Sequence, residues 1–156
     1  MTYWLIVTTI DNLEVTKKKH EVGISERNRN AFAKVKKGDK CVIYRRWGKK
    51  EEKILEPALT GVFEIMSTGH DATRIFQAPP ARRDETYPLR LTIRPKGAFR
   101  DTFIPFRPLI DKLSFIANKK KWGSYLRGRA LIPLSKKDYD IIASLLKKEG
   151  YNEKMP

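Results

Sequence analysis

VGISERNRNAFAKVKKGDKCVIYRRW, residues 22–47, changes character three times over its short length. It opens apolar, then offers Ser25 as the cap of a helix running to about Val35, with Phe32 and Val35 on one face. Gly38-Asp39 breaks that helix, and Lys40–Tyr44 (KCVIY) reads as a strand. The stretch closes with Tyr44 and Trp47 flanking Arg45 and Arg46. A helix and a strand joined this closely, with no regular β-α-β alternation elsewhere, argue for an α+β fold.

Outward from there, Tyr3–Thr9 (YWLIVTT) is β-branched and aromatic and reads as a buried strand with Trp4 in the core. Asp11 and Asn12 favour a turn after it. Ala58–Ser67 (ALTGVFEIMS) reads as a strand interrupted at Gly61 by a bulge or a close backbone approach, and Thr73–Gln77 is expected to continue the sheet. Ala78–Thr86, with two prolines, two arginines and two acids, reads as a loop, and Tyr87–Arg94 (YPLRLTIR) alternates as a strand does. Lys49–Lys53 has the composition of a hairpin tip, and Phe103–Phe106 is short and apolar.

Pro108 suits the start of one or two helical turns over Leu109–Ile116, and Asn118–Arg129 is a basic loop. Ser135-Lys-Lys-Asp138 matches a capping box opening a last helix, with Ile142, Leu145 and Leu146 at helical spacing and Gly150 as its stop. Short strands in this number suit a curled sheet or small mixed β-barrel flanked by helices, in a single domain over residues 1–156.

Charge is the strongest compositional signal. The 33 Lys and Arg against 18 Asp and Glu give +15. The excess is local: Lys17–Lys53 holds 14 basic and 5 acidic residues, and Lys119–Arg129 holds 5 basic and none acidic. Lys-rich surfaces that accompany growth at high temperature are balanced by acids, so a local excess points to a polyanionic partner. Apolar runs such as Trp4–Val7 and Leu131–Leu134 fall far below the roughly 20 residues that span a bilayer, so the chain is expected to be soluble, cytoplasmic and without a membrane partner. Cys41 is the single cysteine, and His20 and His70 are the two histidines, so neither a disulfide nor a zinc site is expected.

The chain carries no G-x-S-x-G and no phosphate-loop glycine pattern. Paired acids such as Asp138/Asp140 or Glu51/Glu52 carry little weight as an acid/base couple. Aromatics among basic residues are what single-stranded or flipped bases require, since each base offers a π-face while Arg and Lys hold phosphates. Tyr44 and Trp47 flank Arg45 and Arg46, and Trp122 and Tyr125 lie between Lys119, Lys120, Lys121 and Arg127. As an N-cap, Ser25 also presents free backbone N–H groups that can hold an anion or a base carbonyl.

YWLIV at the start, VGISERNRN leading into VKKGDKCVIY, YPLR, LSFIANKKKWGSYLRG and LIPLSKKDYDII together resemble the EVE domain family of the PUA-like superfamily. The resemblance covers nearly the whole chain. It implies a mixed β-barrel wrapped by helices, close to the YTH readers of methylated adenine, and a nucleic-acid-binding role in which a modified base enters an aromatic-lined pocket. Carried over by segment, it puts Thr8, Thr9 and Asn12 at one rim and Val22, Gly23 and Ser25 at another, with Tyr44, Arg90, Trp122 and Arg127 as aromatic or cationic walls. Where related pockets often carry a Trp ahead of the Gly-Val-Ser-like segment, this chain has His20-Glu21-Val22.

The leading expectation is therefore a non-catalytic nucleic-acid-binding module, for RNA or DNA, that needs no cofactor, no metal and no obligate protein partner. Arg27, Arg45, Arg46, Lys119, Lys120, Lys121 and Arg129 are the expected phosphate contacts. A second reading is a small metal-dependent nuclease or nucleotide hydrolase built on acids such as Asp71 or Asp101. A third is an anion-binding, small-molecule or protein-interaction domain.

Overall fold

A computed structural model describes residues 1–96, 102–149 and 151–152. Gly150, the expected helix stop, and Asp101 lie outside the described residues.

Apolar alternation along the first strands sets the layering. Strand β1 (Tyr3–Thr8) sends Trp4 and Ile6 into one core and Leu5 into the other. In β3 (Lys40–Arg45), Cys41 and Ile43 join the first set, while Val42 and Tyr44 join the second. The two strands pair in parallel, Leu5 opposite Val42 and Ile6 opposite Ile43, so a side-chain period of two builds a core on each face of the sheet.

The long strand β6 (Ala58–His70) runs antiparallel to β3, and Gly61 is its hinge. Val42 faces Val62 and Ile43 faces Thr60, which leaves Gly61 as an extra residue at φ +65°. The bulge shifts the side-chain phase: Leu59 and Val62 fall in one core, Ala58, Phe63 and Ile65 in the other. A Cβ at Gly61 would stand 2.1 Å from a Phe63 ring carbon, so both backbone conformation and space demand glycine.

Strand β8 (Thr102–Pro105) pairs with the start of β6, and the far half of β6 pairs with β7 (Leu89–Pro95). Beyond β7 lies β2 (Glu21–Ile24), beyond β8 lies β10 (Tyr151–Asn152), and β9 (Leu131–Leu134) flanks β1. A separate hairpin, β4 (Gly48–Lys50) and β5 (Lys53–Leu55), turns at Glu51-Glu52, both at positive φ as a two-residue type I′ turn requires. The helices are α1 (Ile10–Lys19), the single turn α2 (Arg29–Phe32) and α3 (Lys136–Glu149). Among the described residues, no helix is long and apolar enough to cross a membrane.

The architecture is α+β around one large mixed sheet, but that sheet does not close into the expected barrel. Its strand order among the described residues leaves β10, β9 and β2 as edges. At the β9 edge, Pro133 has no N–H to donate, and Ala130, just before the strand, donates its N–H to the Asn28 side chain at 3.1 Å.

Several local expectations need correction. The turn at Asp11-Asn12 is the first turn of α1, whose cap is Thr9: its hydroxyl accepts from Asn12 N at 3.3 Å. Leu13 is the one apolar residue that this helix buries, which leaves little periodicity to read. Ser25 caps a 3₁₀ turn, Glu26–Asn28, rather than a long helix. Thr73–Gln77 is loop, not sheet. The turns after Phe106 and Asn118 are 3₁₀, Arg107–Leu109 and Lys119–Tyr125. Ser135 does accept from Asp138 N at 3.0 Å, but the Asp138 carboxylate turns to Ser114 and Phe115 and pins that segment to α3.

Candidate functional site

The gap between the β1/β9 end of the sheet and β2 is occupied by a cleft of about 420 Å³. Its walls come from six places: Val7, Thr8 and Thr9 at the end of β1; Asp11 and Asn12 of α1; Gly23, Ser25, Arg27 and Asn28 within and after β2; Arg46 after β3; Gln77–Pro80, Arg82 and Tyr87 from the long loop; and Gly128–Ala130 before β9. The volume lies within the range of small-ligand sites. Arg27, Arg46, Arg82 and Arg129 line it, with Asp11 as the one acid in its wall. Thr8, Thr9, Asn12 and Ser25 add neutral polar groups.

Each wall is held by identifiable bonds. Arg46 N donates to Thr8 O at 2.9 Å, which extends the β1–β3 pairing to the cleft rim. Asn12 Nδ2 donates to Gln77 O at 3.1 Å and its Oδ1 accepts from Gln77 N at 2.7 Å, so a side chain of α1 clasps the loop backbone. Ser25 Oγ donates to Glu85 at 2.6 Å while accepting from Arg27 N at 3.4 Å. Glu85 also accepts from Tyr87 N at 2.9 Å.

Tyr87 faces the cleft with its backbone at φ 50°, a region unfavourable for a bulky residue, so the surrounding bonds must hold it there. Its ring stands edge-on to Phe76 at 6.2 Å between centroids. Burial pushes the Tyr87 phenol up, with Arg82 opposing, so the hydroxyl stays protonated at neutral pH. Gly23 makes room for the Phe76 ring and the base of the Tyr87 side chain: a Cβ there would lie 2.6 Å from Phe76 ring carbons and 2.8 Å from Tyr87 Cβ.

The structure gathers Thr8, Thr9, Asn12, Gly23 and Ser25 around this cleft, together with Arg27, Arg46 and Arg129. The other expected residues stand elsewhere. Val22 is in the core on the β2 face. Arg90, 4% exposed, donates to the carbonyls of Thr73, Thr86 and Tyr87, pairs with Glu21 at 3.1 Å and lies over the Phe76 ring; it organises the loop from behind. Tyr44 and Trp122 come together on Phe106, at 4.8 and 5.6 Å between centroids, within or against the other core. Burial raises the Tyr44 phenol, with Arg46 and Arg107 opposing.

Arg45 is buried, donating to Glu56 O at 2.6 Å and lying over Phe103. Lys119 donates to Leu113 O at 2.8 Å. Lys120, Lys121 and Arg127 are exposed and do not line the cleft.

Tyr87, Gln77, Pro79, Pro80 and Arg82 were not foreseen as site residues. Their signal was present as a loop with paired prolines and arginines, but composition shows no direction, and Tyr87 read as the first residue of a strand. For the acids, Asp71 accepts from Thr73 N at 2.8 Å in an exposed turn, and hydrogen bonds from Thr73 hold its carboxyl below the usual range. Among the described residues, no three His, Cys, Asp or Glu side chains gather as a metal site.

The sequence model of the EVE domain matches residues 2–145. The chain belongs to the EVE domain family. This EVE domain is 42% identical over 147 residues to a UPF0310 protein of Pyrococcus abyssi, covering 94% of this chain and all of that one. It is 41% identical to a UPF0310 protein of Pyrococcus horikoshii over 94% of this chain and 99% of the relative. Among solved structures, human THYN1 protein in complex with 5-methylcytosine-containing DNA superposes with a TM-score of 0.56 at 16% identity, over 96% of this chain and 99% of that one. The YTH domain of Zygosaccharomyces rouxii MRB1 protein, in complex with N6-methyladenosine RNA, gives 0.56 at 12% identity, over 94% and 87%. At these identities the likeness is one of fold.

Proposed function

We propose that this EVE domain is a non-catalytic nucleic-acid-binding module that takes one base, single-stranded or extruded and carrying a modification, into the cleft beside Tyr87. The observation that carries the reading is the lining itself: four arginines and one acid around Thr8, Thr9, Asn12, Ser25 and a protonated tyrosine. Arginines at a rim hold phosphates, while neutral donors and acceptors read a base edge and a ring supplies a stacking surface. Structures of the same fold carrying methylated DNA and methylated RNA support it. Lys120, Lys121 and Arg127, outside the cleft, extend the cationic surface available to the backbone.

The test is fluorescence anisotropy with matched RNA and DNA oligonucleotides, with and without methylated bases, across a salt series. Binding is expected to weaken linearly in log affinity against log salt. Arg46→Ala and Arg129→Ala should each lower the slope by about 0.7 for a single strand. Tight binding that ignores salt, or variants indistinguishable from the parent, would overturn the reading.

A further inference from the structure

Among the described residues, the large apolar side chains left exposed are Met1, Trp47 at 56% and Ile54 at 57%. Ile54 belongs to the β4–β5 hairpin, whose pairing explains its exposure, and Trp47 immediately precedes that hairpin. Gly48 faces Leu55 and Lys49 faces Ile54 across the ladder. One face of the hairpin rests on α1: a Cβ at Gly48 would lie 2.5 Å from the end of Ile10, and Lys50 is paired with Glu14. With a period of two, Lys49 and Ile54 must take the opposite face, and Trp47, two residues before Lys49, stands with them toward solvent.

The chain links that face directly to the cleft. Arg46 lines the cleft and is bonded through its N–H to Thr8 at the rim. Trp47 is the next residue, a Cα step of about 3.8 Å away. An exposed indole one residue past an arginine-lined cleft, with an exposed lysine beside it, has the makeup of a base-stacking platform with a phosphate contact. Charge settles the choice of occupant: the segment that carries this face, Lys17–Lys53, holds 14 basic and 5 acidic residues, which suits a polyanion.

We infer that Trp47 stacks the base of the nucleotide adjoining the one in the cleft, so that a single strand leaving the cleft passes over the outer face of the hairpin, with Lys49 on its phosphate. The inference rests on the proposed function and adds to it a second subsite, tolerant of base identity because every base has a π-face.

The experiment compares parent, Trp47→Ala, Trp47→Phe and Arg46→Ala for anisotropy binding of a labelled single-stranded pentanucleotide and a labelled mononucleotide, with sedimentation of each protein alone. Trp47→Ala is expected to weaken the pentanucleotide roughly 5- to 150-fold. It should leave the mononucleotide and the salt slope unchanged, and Trp47→Phe should keep most of the affinity. If Trp47→Ala binds the pentanucleotide as the parent does while Arg46→Ala is weakened, this inference falls and the cleft reading stands. If the parent binds neither ligand, both fall. If Trp47→Ala instead abolishes self-association without changing oligonucleotide affinity, the face belongs to a second copy of the chain and the inference is overturned.

Discussion

Asn12 and Gln77 form a reciprocal pair: the buried amide of Asn12 donates to Gln77 O and accepts from Gln77 N, joining α1 to the loop across 65 residues of sequence. The geometry copies a strand pairing with one side chain playing the partner strand. It explains how a long loop without regular structure can make a defined cleft wall.

Asn12→Ala removes both bonds that tie the exposed residue Gln77 to α1. The expected cost is about 1–3 kcal/mol in denaturant unfolding. Amides from residue 71 to residue 88 should exchange faster, while those of β1 and β3 keep their protection. Asn12→Asp keeps the acceptor alone and is expected to fall between.

Gly23→Ala tests the close approach behind Tyr87. The added methyl meets the Phe76 ring at 2.6 Å and Tyr87 Cβ at 2.8 Å, so these side chains must move or β2 must shift against β7. A loss of about 1–3 kcal/mol is expected from thermal melting. Oligonucleotide affinity should drop even at temperatures where the variant is fully folded, because Tyr87, pushed at its Cβ, lines the cleft.

Asp39 gives the protein a defined acid limb. Burial opposes its charge, but N–H donors from Thr2, Trp4 and Lys36, at 3.0, 3.0 and 2.9 Å, outweigh that and hold the carboxyl below its ordinary value of 3.8. A depressed folded-state pKa means stability that is present above about pH 3.8 and lost as pH falls through the lower, folded value. Asp39→Asn should therefore be less stable by about 1–3 kcal/mol at neutral pH, and the two proteins should converge in strong acid. Urea melts across the acid range check the sign.

Trp122→Ala separates packing from recognition. Trp122 lies against Phe106, with the Arg107 guanidinium over its face at 5.2 Å, and does not line the cleft. The expected result is a loss of about 2–4 kcal/mol in stability with the salt slope of nucleic-acid binding unchanged. A fully stable variant that loses discrimination between methylated and unmethylated bases would return Trp122 to the site.

Legibility followed the range of the interactions. Lys40–Tyr44 was readable as a strand from a short β-branched apolar run, and Tyr87–Arg94 from apolar alternation, both local properties that burial then rewards, and Gly61 announced its bulge because only glycine suits that backbone. Helix α1 was hidden because Thr9 caps a stretch with one buried apolar residue. Among the expected wall residues, Arg90 and Tyr44 have the same chemistry inside or outside a site, so residue type could not reveal that one is consumed by loop carbonyls and the other by Phe106.

Residue order and composition carry the α+β character, the local basic excess and membership of the EVE family. The two faces of the central strands, the open sheet and the position of the cleft emerge with the packing of distant segments. Those outcomes depend on pairings such as Ala130 with Asn28, 102 residues apart, and Asn12 with Gln77. A hydrogen bond between distant segments has no periodicity to betray it. It forms because folding brings two unsatisfied groups together and leaves neither a better partner.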